Sequence, residues 1–488
     1  MYHSTRGNEN VKASVAIING LANDGGLYVK DNIKKYTLND LKKMSKLNYR
    51  DLAGLIFKEY LDDFNEELIK KIVYQAYDDK FDISEIVKVQ KFKDVSFLEL
   101  FHGPTLAFKD VALSILPLFM KESKEINKTG KKTIILTATS GDTGSAALKG
   151  FSYDDNTYMI VLYPTNGVSA IQERQMLSLA NERLKVIAIE GNFDDAQKLV
   201  KKVFNDPNRF EYSPNIPLSS ANSINIGRLI PQIVYYFYGY FKMVSEDNIG
   251  QEINFVVPTG NFGNILAGFL AKKMGLPIKK LICASNDNKV LTDFFDTKIY
   301  NRNRDFLKTT SPSMDILVSS NLERLLYYGC EDINKVKEFM NNLDTLGKYQ
   351  VDESFDRILK DFYGSSASEE EVNDSIKEVY QDYRYLMDTH TAVAYKVFKK
   401  YQLNTNDKTP TVVVSTAHPY KFPKTIASSI GLGEFEDEFE AIKALKENTN
   451  IEEPDMIKKL YQTYSKKVWR LEDSYESIKK LLMELNNE

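Results

Sequence analysis

Thr133–Gly150 reads TIILTATSGDTGSAALKG, and Ile253–Gly275 reads INFVVPTGNFGNILAGFLAKKMG. Each opens with an apolar run that does not alternate, passes through a polar glycine loop, and continues with small and apolar residues at helical spacing. An uninterrupted apolar run suits a strand covered on both faces, the condition of a parallel sheet. Similar runs recur in YMIVLYP from Tyr158, LKVIAIE from Leu184, KLICAS from Lys280 and TVVVS from Thr411. Between them lie helical stretches such as Asp194–Phe204 and Ile265–Met274. Strand and helix alternate, so the expected fold class is α/β.

Outside this core the pattern changes. Residues 1–95 carry apolar side chains at helical spacing without a strong strand, and predict a mainly helical N-terminal domain. Ser368–Lys400 and Leu460–Leu485 have the charged, helix-favouring composition of solvated amphipathic helices. With 488 residues, the chain exceeds the roughly 250–300 at which one core stops growing, so two or three domains are expected.

The composition also narrows the possible roles. Apolar residues make up 43% and charged residues 27%, as in ordinary folded proteins. A net charge of -4 with no Lys/Arg block gives no electrostatic support to a nucleic-acid or membrane-surface role. Cys283 and Cys330 lack the spacing of a zinc site or redox couple, so no metal and a reduced, cytoplasmic setting are expected. No signal-like or bilayer-spanning apolar run is present, which points away from secretion and membrane insertion.

Four segments can carry chemistry. In LELFHGPTLAFKDVALSILPLF, Leu98–Phe119, a Gly-Pro-Thr turn leads to Lys109 at the start of an apolar helical stretch. Desolvation there lowers an amine's pKa and makes it a nucleophile toward an aldehyde; the same residue also reads as a lysine snorkelling to solvent. Gly260, Asn261, Phe262, Gly263 and Asn264 form a strand-to-helix loop suited to a phosphate, or simply a tight turn. Ser140, Gly141, Asp142, Thr143 and Gly144 are suited to a carboxylate, or to capping the helix that follows. VVVSTAHPYKF, Val412–Phe422, ends a strand with Ser415 and Thr416 where open α/β sheets place ligand contacts. His418 and His102 read as structural, and His3 and His390 fall in no telling pattern.

Taken in order, these segments resemble the threonine synthases of the long bacterial and fungal type, within the fold-type II pyridoxal-phosphate enzymes related to tryptophan synthase β. GLANDGGLYV from Gly20, VSAIQERQM from Val168, EGNFDDAQ from Glu190, SSANSINIGRL from Ser219 and SPSMDILVSSNLERLL from Ser311 extend the likeness over nearly the whole chain. The resemblance implies that Lys109 is the Schiff-base lysine and that Gly260–Asn264 bind the phosphate of pyridoxal 5'-phosphate. It further implies that Thr416 faces the pyridine nitrogen and that Ser140–Gly144 bind the substrate carboxylate. Arg174, Arg228 and Lys421 are its candidates for the substrate phosphate. The implied reaction converts O-phosphohomoserine and water to L-threonine and phosphate.

The implied architecture is two parallel-sheet α/β domains plus the N-terminal one: 1–95; 96–126 with 225–488; and 127–224, acting as a monomer. Ile226 and Gly227 stand where tryptophan and alanine are expected, and Thr389 where proline is. The competing readings are a serine or threonine dehydratase or phospho-lyase on the same scaffold, and a non-catalytic regulator that binds the cofactor.

Overall fold

The structure, a computed structural model, describes residues 1–488 apart from 131, 205, 213–215, 463 and 488. Two parallel sheets form its centre. The larger runs in the order Phe362–Ser366, Ile278–Ser285, Ile253–Pro258, Thr411–Ser415, Ser96–Glu99, Lys88–Lys91. All its pairings are parallel except the last, where Lys88–Lys91 lies antiparallel at the edge. The smaller sheet is wholly parallel: Lys467–Trp469, Leu184–Ile189, Thr157–Pro164, Thr133–Ala138, Leu218–Ser219.

All six apolar runs form strands, and Thr133–Ala138, Thr157–Pro164, Ile253–Pro258 and Thr411–Ser415 are buried at every position. That explains their lack of alternation, since helices cover both faces. Two further strands, Ser96–Glu99 and Phe362–Ser366, have no apolar run to announce them. They form because a neighbouring parallel strand offers its hydrogen-bonding edge.

The N-terminal region contains the helices Ala13–Asn19, Leu38–Met44, Tyr49–Tyr60 and Glu66–Ala76, with a short antiparallel sheet from Tyr2–Ser4, Asn10–Val11 and Tyr28–Val29. Thr37, Asn48 and Asn65 cap three of the helices through their side chains. Tyr49 meets Tyr77 and Tyr238 edge-to-face, with centroids 5.5 and 5.4 Å apart, which docks this layer on the long buried helix Ile226–Met243. The chain is therefore an α/β protein with two parallel-sheet units and a mainly helical N-terminal layer.

The expected grouping of 225–488 with the large sheet needs one correction. Lys467–Trp469 pairs with Ile187–Ile189 in the smaller sheet, and the helix Leu471–Asn487 follows it. A three-residue, partly exposed edge strand has too little apolar content to be read from sequence. Among the described residues, no helix is long and apolar enough to cross a membrane.

The two sheets face one cleft. Pro258 and Thr416 bring the C-terminal ends of two strands of the larger sheet to its wall, and Ala138 that of a strand of the smaller. This is where parallel α/β sheets collect ligands.

Candidate active site

The cleft encloses about 790 Å³, including space open to solvent, and Lys109 lies in its wall. Its position is set by the loop before it. Asp110 is buried and accepts the Thr105 N–H at 2.8 Å and the Thr105 hydroxyl at 2.6 Å. Burial pushes the Asp110 pKa up to about 6 against those bonds. Gly103 is needed here, because a Cβ would lie 2.3 Å from the Asp110 Cβ. Leu106 adopts φ 63°, and the loop is stitched to the end of Thr411–Ser415 by Phe108 N–H to Thr416 O (2.8 Å) and His418 N–H to Leu106 O (3.0 Å).

So held, the Lys109 amine donates to Ser313 Oγ at 3.2 Å and lies 3.7 Å from Asp142 Oδ2. Burial lowers its pKa to about 8; Asp142 opposes the shift, while Arg228 and Lys421 add to it. Of the two sequence readings, the buried amine stands and the snorkelling one does not: Lys109 is 8% exposed.

Opposite lies the loop Gly260–Asn264. Its first-turn amides begin the helix Gly263–Lys273 and have no partner within that helix. Phe262 turns the chain at φ 64° and anchors it by packing its ring on Phe362 and Phe295. Asn264 Oδ1 accepts from Tyr235 and Tyr236 at 2.7 and 2.8 Å, while its buried Nδ2 meets no acceptor among the described residues. The buried Nε of Arg228 is similarly unmatched, and among the described residues no carboxylate pairs with Arg228. Burial lowers this guanidinium to about 10.

A buried cation and orphaned donors beside a helix start call for an anion. Together with a poorly charged amine for an aldehyde and the Thr416 hydroxyl in the same wall, they fit pyridoxal phosphate. A Cβ on Gly260 would stand 2.4 Å from the Ser313 carbonyl oxygen, a backbone atom that cannot easily yield. Gly260→Ala is therefore expected to cost about 1–3 kcal/mol in the loaded site, weakening cofactor binding roughly 5- to 150-fold, as measured by titrating apoprotein with the cofactor.

Ser140, Asp142 and Thr143 reach the cleft, whereas Gly141 and Gly144 serve the loop's shape. Gly141 has φ 119° and presses on Gln172, and Thr139 Oγ1 accepts the N–H groups of Gly141 and Gly144 at 2.9 and 2.8 Å. Asp142 lies well below the usual carboxylate range, because Lys421 and Lys109 outweigh the effect of burial.

The three candidates for the substrate phosphate separate. Arg228 lines the cleft. Lys421 is wholly buried, and its ammonium is taken up by Asp142 Oδ1 (2.8 Å), Gln175 Oε1 (2.8 Å) and Thr105 O (2.9 Å). With three acceptors it has no donor left for a phosphate. Arg174 lies outside the cleft lining: it holds Leu460 O at 2.9 Å and stacks on Phe439 at 4.2 Å, fastening the C-terminal segment. Both sets of contacts come from the folded chain, since a basic residue in a matching segment does not reveal which acceptors the fold brings to it.

His418 is held down to about 3 by desolvation, and its Nδ1 accepts the Tyr420 N–H, a structural role. His102 bridges Asp82 (2.7 Å) and Glu99 (3.0 Å); these bonds outweigh burial and raise it to about 9. A folded-state pKa above the ordinary value of 6.5 means that its stabilisation is complete below that pH and is lost as pH rises through about 9. The destabilisation by His102→Ala, of order 1–3 kcal/mol at pH 6, is expected to shrink by pH 10 in urea unfolding.

The sequence reading passed over His390 and Ser313, which both line the cleft. His390 Nδ1 is 2.8 Å from Asp388 Oδ2, and its Nε2 accepts the Ser313 N–H at 3.2 Å. A histidine following a buried helix-capping aspartate was the available signal. The departures are absorbed locally: Gly227 packs on Leu116, and the Thr389 hydroxyl donates to Thr310 O at 2.7 Å.

Two parallel sheets flanking a cleft with a buried lysine and a glycine-built anion loop define a pyridoxal-phosphate-dependent enzyme of fold-type II, and residues 86–417 match the family model of that description. Residues 1–77 match the threonine synthase N terminus, and 391–480 the threonine synthase C-terminal model. The threonine synthase of Saccharomyces cerevisiae is 37% identical over 462 residues, 88% of this chain and 89% of that one. That of Pseudomonas aeruginosa is 37% identical over 439 residues, covering 89% and 91%. The crystal structure of PLP bound threonine synthase from Brucella melitensis aligns over 100% of this chain and 99% of its own, with a TM-score of 0.85 at 34% identity. The chain belongs to the threonine synthase family, and its activity is pyridoxal-phosphate-dependent threonine synthesis.

Proposed function

We propose that this chain converts O-phosphohomoserine and water to L-threonine and phosphate by γ-elimination and hydration at Cβ, with Lys109 as cofactor anchor and principal proton carrier. The observation that carries this reading is the Lys109 amine, buried and lowered to about 8, across a cleft from Gly260–Asn264. Bound pyridoxal phosphate supplies the electron sink for negative charge formed at Cα. Gly260–Asn264 would hold its phosphate, and the neutral Thr416 hydroxyl, in the same cleft wall, would serve its ring nitrogen. An amine near pH 8 has both protonation states available at neutral pH, as proton transfers at Cα and Cβ require.

Ser140, Asp142 and Thr143 orient the substrate carboxylate, and Arg228 pairs with the substrate phosphate in a fork geometry suited to it. Lys421 acts as a positioning residue through Asp142, and Arg174 takes no part. The protein works as a cytoplasmic monomer, and its structural units correspond to residues 1–95, 96–126 with 225–466, and 127–224 with the strand Lys467–Trp469 and the helix Leu471–Asn487.

The test is purified protein with O-phosphohomoserine, following the visible absorbance of the bound cofactor and measuring phosphate and threonine together. Equal amounts of both are expected. A 2-oxo acid with ammonia as the main products would instead make it a dehydratase or phospho-lyase.

A further inference from the structure

We infer that Arg324 is a positioning residue for the cofactor site: through Asn321 it fixes the backbone of the loop Gly260–Asn264, so that the N-terminal layer takes part in holding the cofactor's phosphate. The inference rests on the assignment of that loop made above. Arg324 is fully buried on the helix Leu322–Cys330, and its guanidinium donates to three segments at once. Its Nε meets Tyr28 O in the N-terminal sheet at 2.9 Å, one terminal nitrogen meets Ile224 O at 2.6 Å, and the other meets Asn321 Oδ1. A rigid planar fork of donors suits acceptors so spread, where an ammonium would be a compact point charge.

Asn321 is fully buried as well, and it starts the helix Leu322–Cys330 without capping it through its side chain. Its Nδ2 donates instead to Asn261 O at 2.9 Å and to Ser223 Oγ at 3.0 Å, and its backbone N–H donates to the same Asn261 carbonyl at 3.1 Å. Two donors of one residue thus hold the carbonyl just before Phe262, where the loop turns at φ 64°. With Oδ1 claimed by a cation, the amide cannot flip, and Nδ2 must face the loop. The Ile224 contact adds a second link, because Asn225 follows it and caps the helix Ile226–Met243 that carries Arg228. Among the described residues no carboxylate pairs with Arg324: its neighbour Glu323 is taken by Arg6, at 2.8 and 2.7 Å, and by the Thr5 hydroxyl. A buried guanidinium is costly as mere packing; here its positive charge lies one side chain behind an anion loop.

The test is to titrate cofactor-free protein with pyridoxal phosphate and with pyridoxal, following visible absorbance, and with inorganic phosphate as competitor of the former. Arg324→Met and Asn321→Ala should each weaken pyridoxal phosphate about 10- to 100-fold, and inorganic phosphate in parallel. Pyridoxal, which reaches Lys109 without a phosphate to place in the loop, should bind as it does to wild type. Arg6→Met breaks a neighbouring ion pair between the same layer and the same helix, so it should lower the urea midpoint while leaving the preference for pyridoxal phosphate over pyridoxal unchanged. If Arg324→Met does not fold, Asn321→Ala carries the test, since it removes no charge.

Folded variants that bind pyridoxal phosphate as wild type does overturn the inference. Equal losses for pyridoxal and pyridoxal phosphate also overturn it, as does a loss of the preference in Arg6→Met, because either result makes the effect a general loosening of the fold. A wild-type protein that binds pyridoxal as tightly as pyridoxal phosphate removes the assignment of Gly260–Asn264 itself, a separate outcome from a variant that matches a discriminating wild type.

Discussion

Lys109→Ala is expected to remove the visible absorbance of the bound cofactor and to lower threonine formation by more than about 10⁴-fold. The substitution deletes the covalent anchor and the proton carrier together, and positioned proton transfer alone accounts for about 10²–10⁴-fold. The fold should survive it. Lys109 is a buried ammonium whose nearest carboxylate, Asp142 at 3.7 Å, already has Lys421 at 2.8 Å, so removing the amine strands no charge. The melting temperature should therefore hold while turnover vanishes.

A pH signature separates this from a packing defect. Folding lowers the Lys109 pKa from 10.5 to about 8, so between those values the unfolded chain binds the proton and the folded one does not. Cofactor-free wild-type protein should accordingly gain stability as pH rises from about 8 to 10.5, and Lys109→Ala should lack that increment. Urea midpoints of the two proteins across this range check it. Retention of covalently bound cofactor by Lys109→Ala would refute the assignment of the anchor.

How far this site was legible follows from which interactions are local. The strand-loop-helix passages at Thr133–Gly150 and Ile253–Gly275 fix their own geometry, because a buried parallel strand needs a continuous apolar run and a sharp exit needs Gly141 at φ 119° or Gly260 against a carbonyl. Lys109 was legible for the same reason, its loop being closed by Thr105 and Asp110 only a few residues away.

What escaped depends on partners distant in sequence. Lys421 looks like a free cation until the fold brings Asp142 and Gln175 to it, and Arg174 until it brings Leu460 and Phe439. His390 gains its meaning from Ser313, 77 positions earlier. Phe362–Ser366 is a strand only because Leu281–Ser285 lies beside it. Family likeness locates the segments; the acceptor that each basic side chain meets is a property of the folded chain.

Lys421→Met is the second large effect, and it is an effect on stability. Lys421 and Asp142 are 0% and 4% exposed at the side chain, and their contacts join the two sheet units: Asp142 and Gln175 belong to helices around the smaller sheet, Thr105 and Lys421 to segments that flank strands of the larger. Removing one partner of a buried ion pair leaves the other charged without compensation, at a cost of about 3–5 kcal/mol. Asp142 keeps the Gln172 amide at 2.8 Å and Lys109 at 3.7 Å, which puts the loss toward the lower end.

The double variant Lys421→Met with Asp142→Asn should recover a substantial part of that loss, since it strands no charge, and the coupling is read from urea midpoints in a double-mutant cycle. The single variant should also move the Lys109 titration upward, because it removes a cation that lowers the amine's pKa and frees Asp142 to raise it. The acid limb of the rate profile then shifts to higher pH. If Lys421→Met instead unfolds within about 1 kcal/mol of wild type and loses only affinity for the phosphorylated substrate, the ammonium leaves its three protein acceptors when substrate enters, and the clamp described here is the wrong account of it.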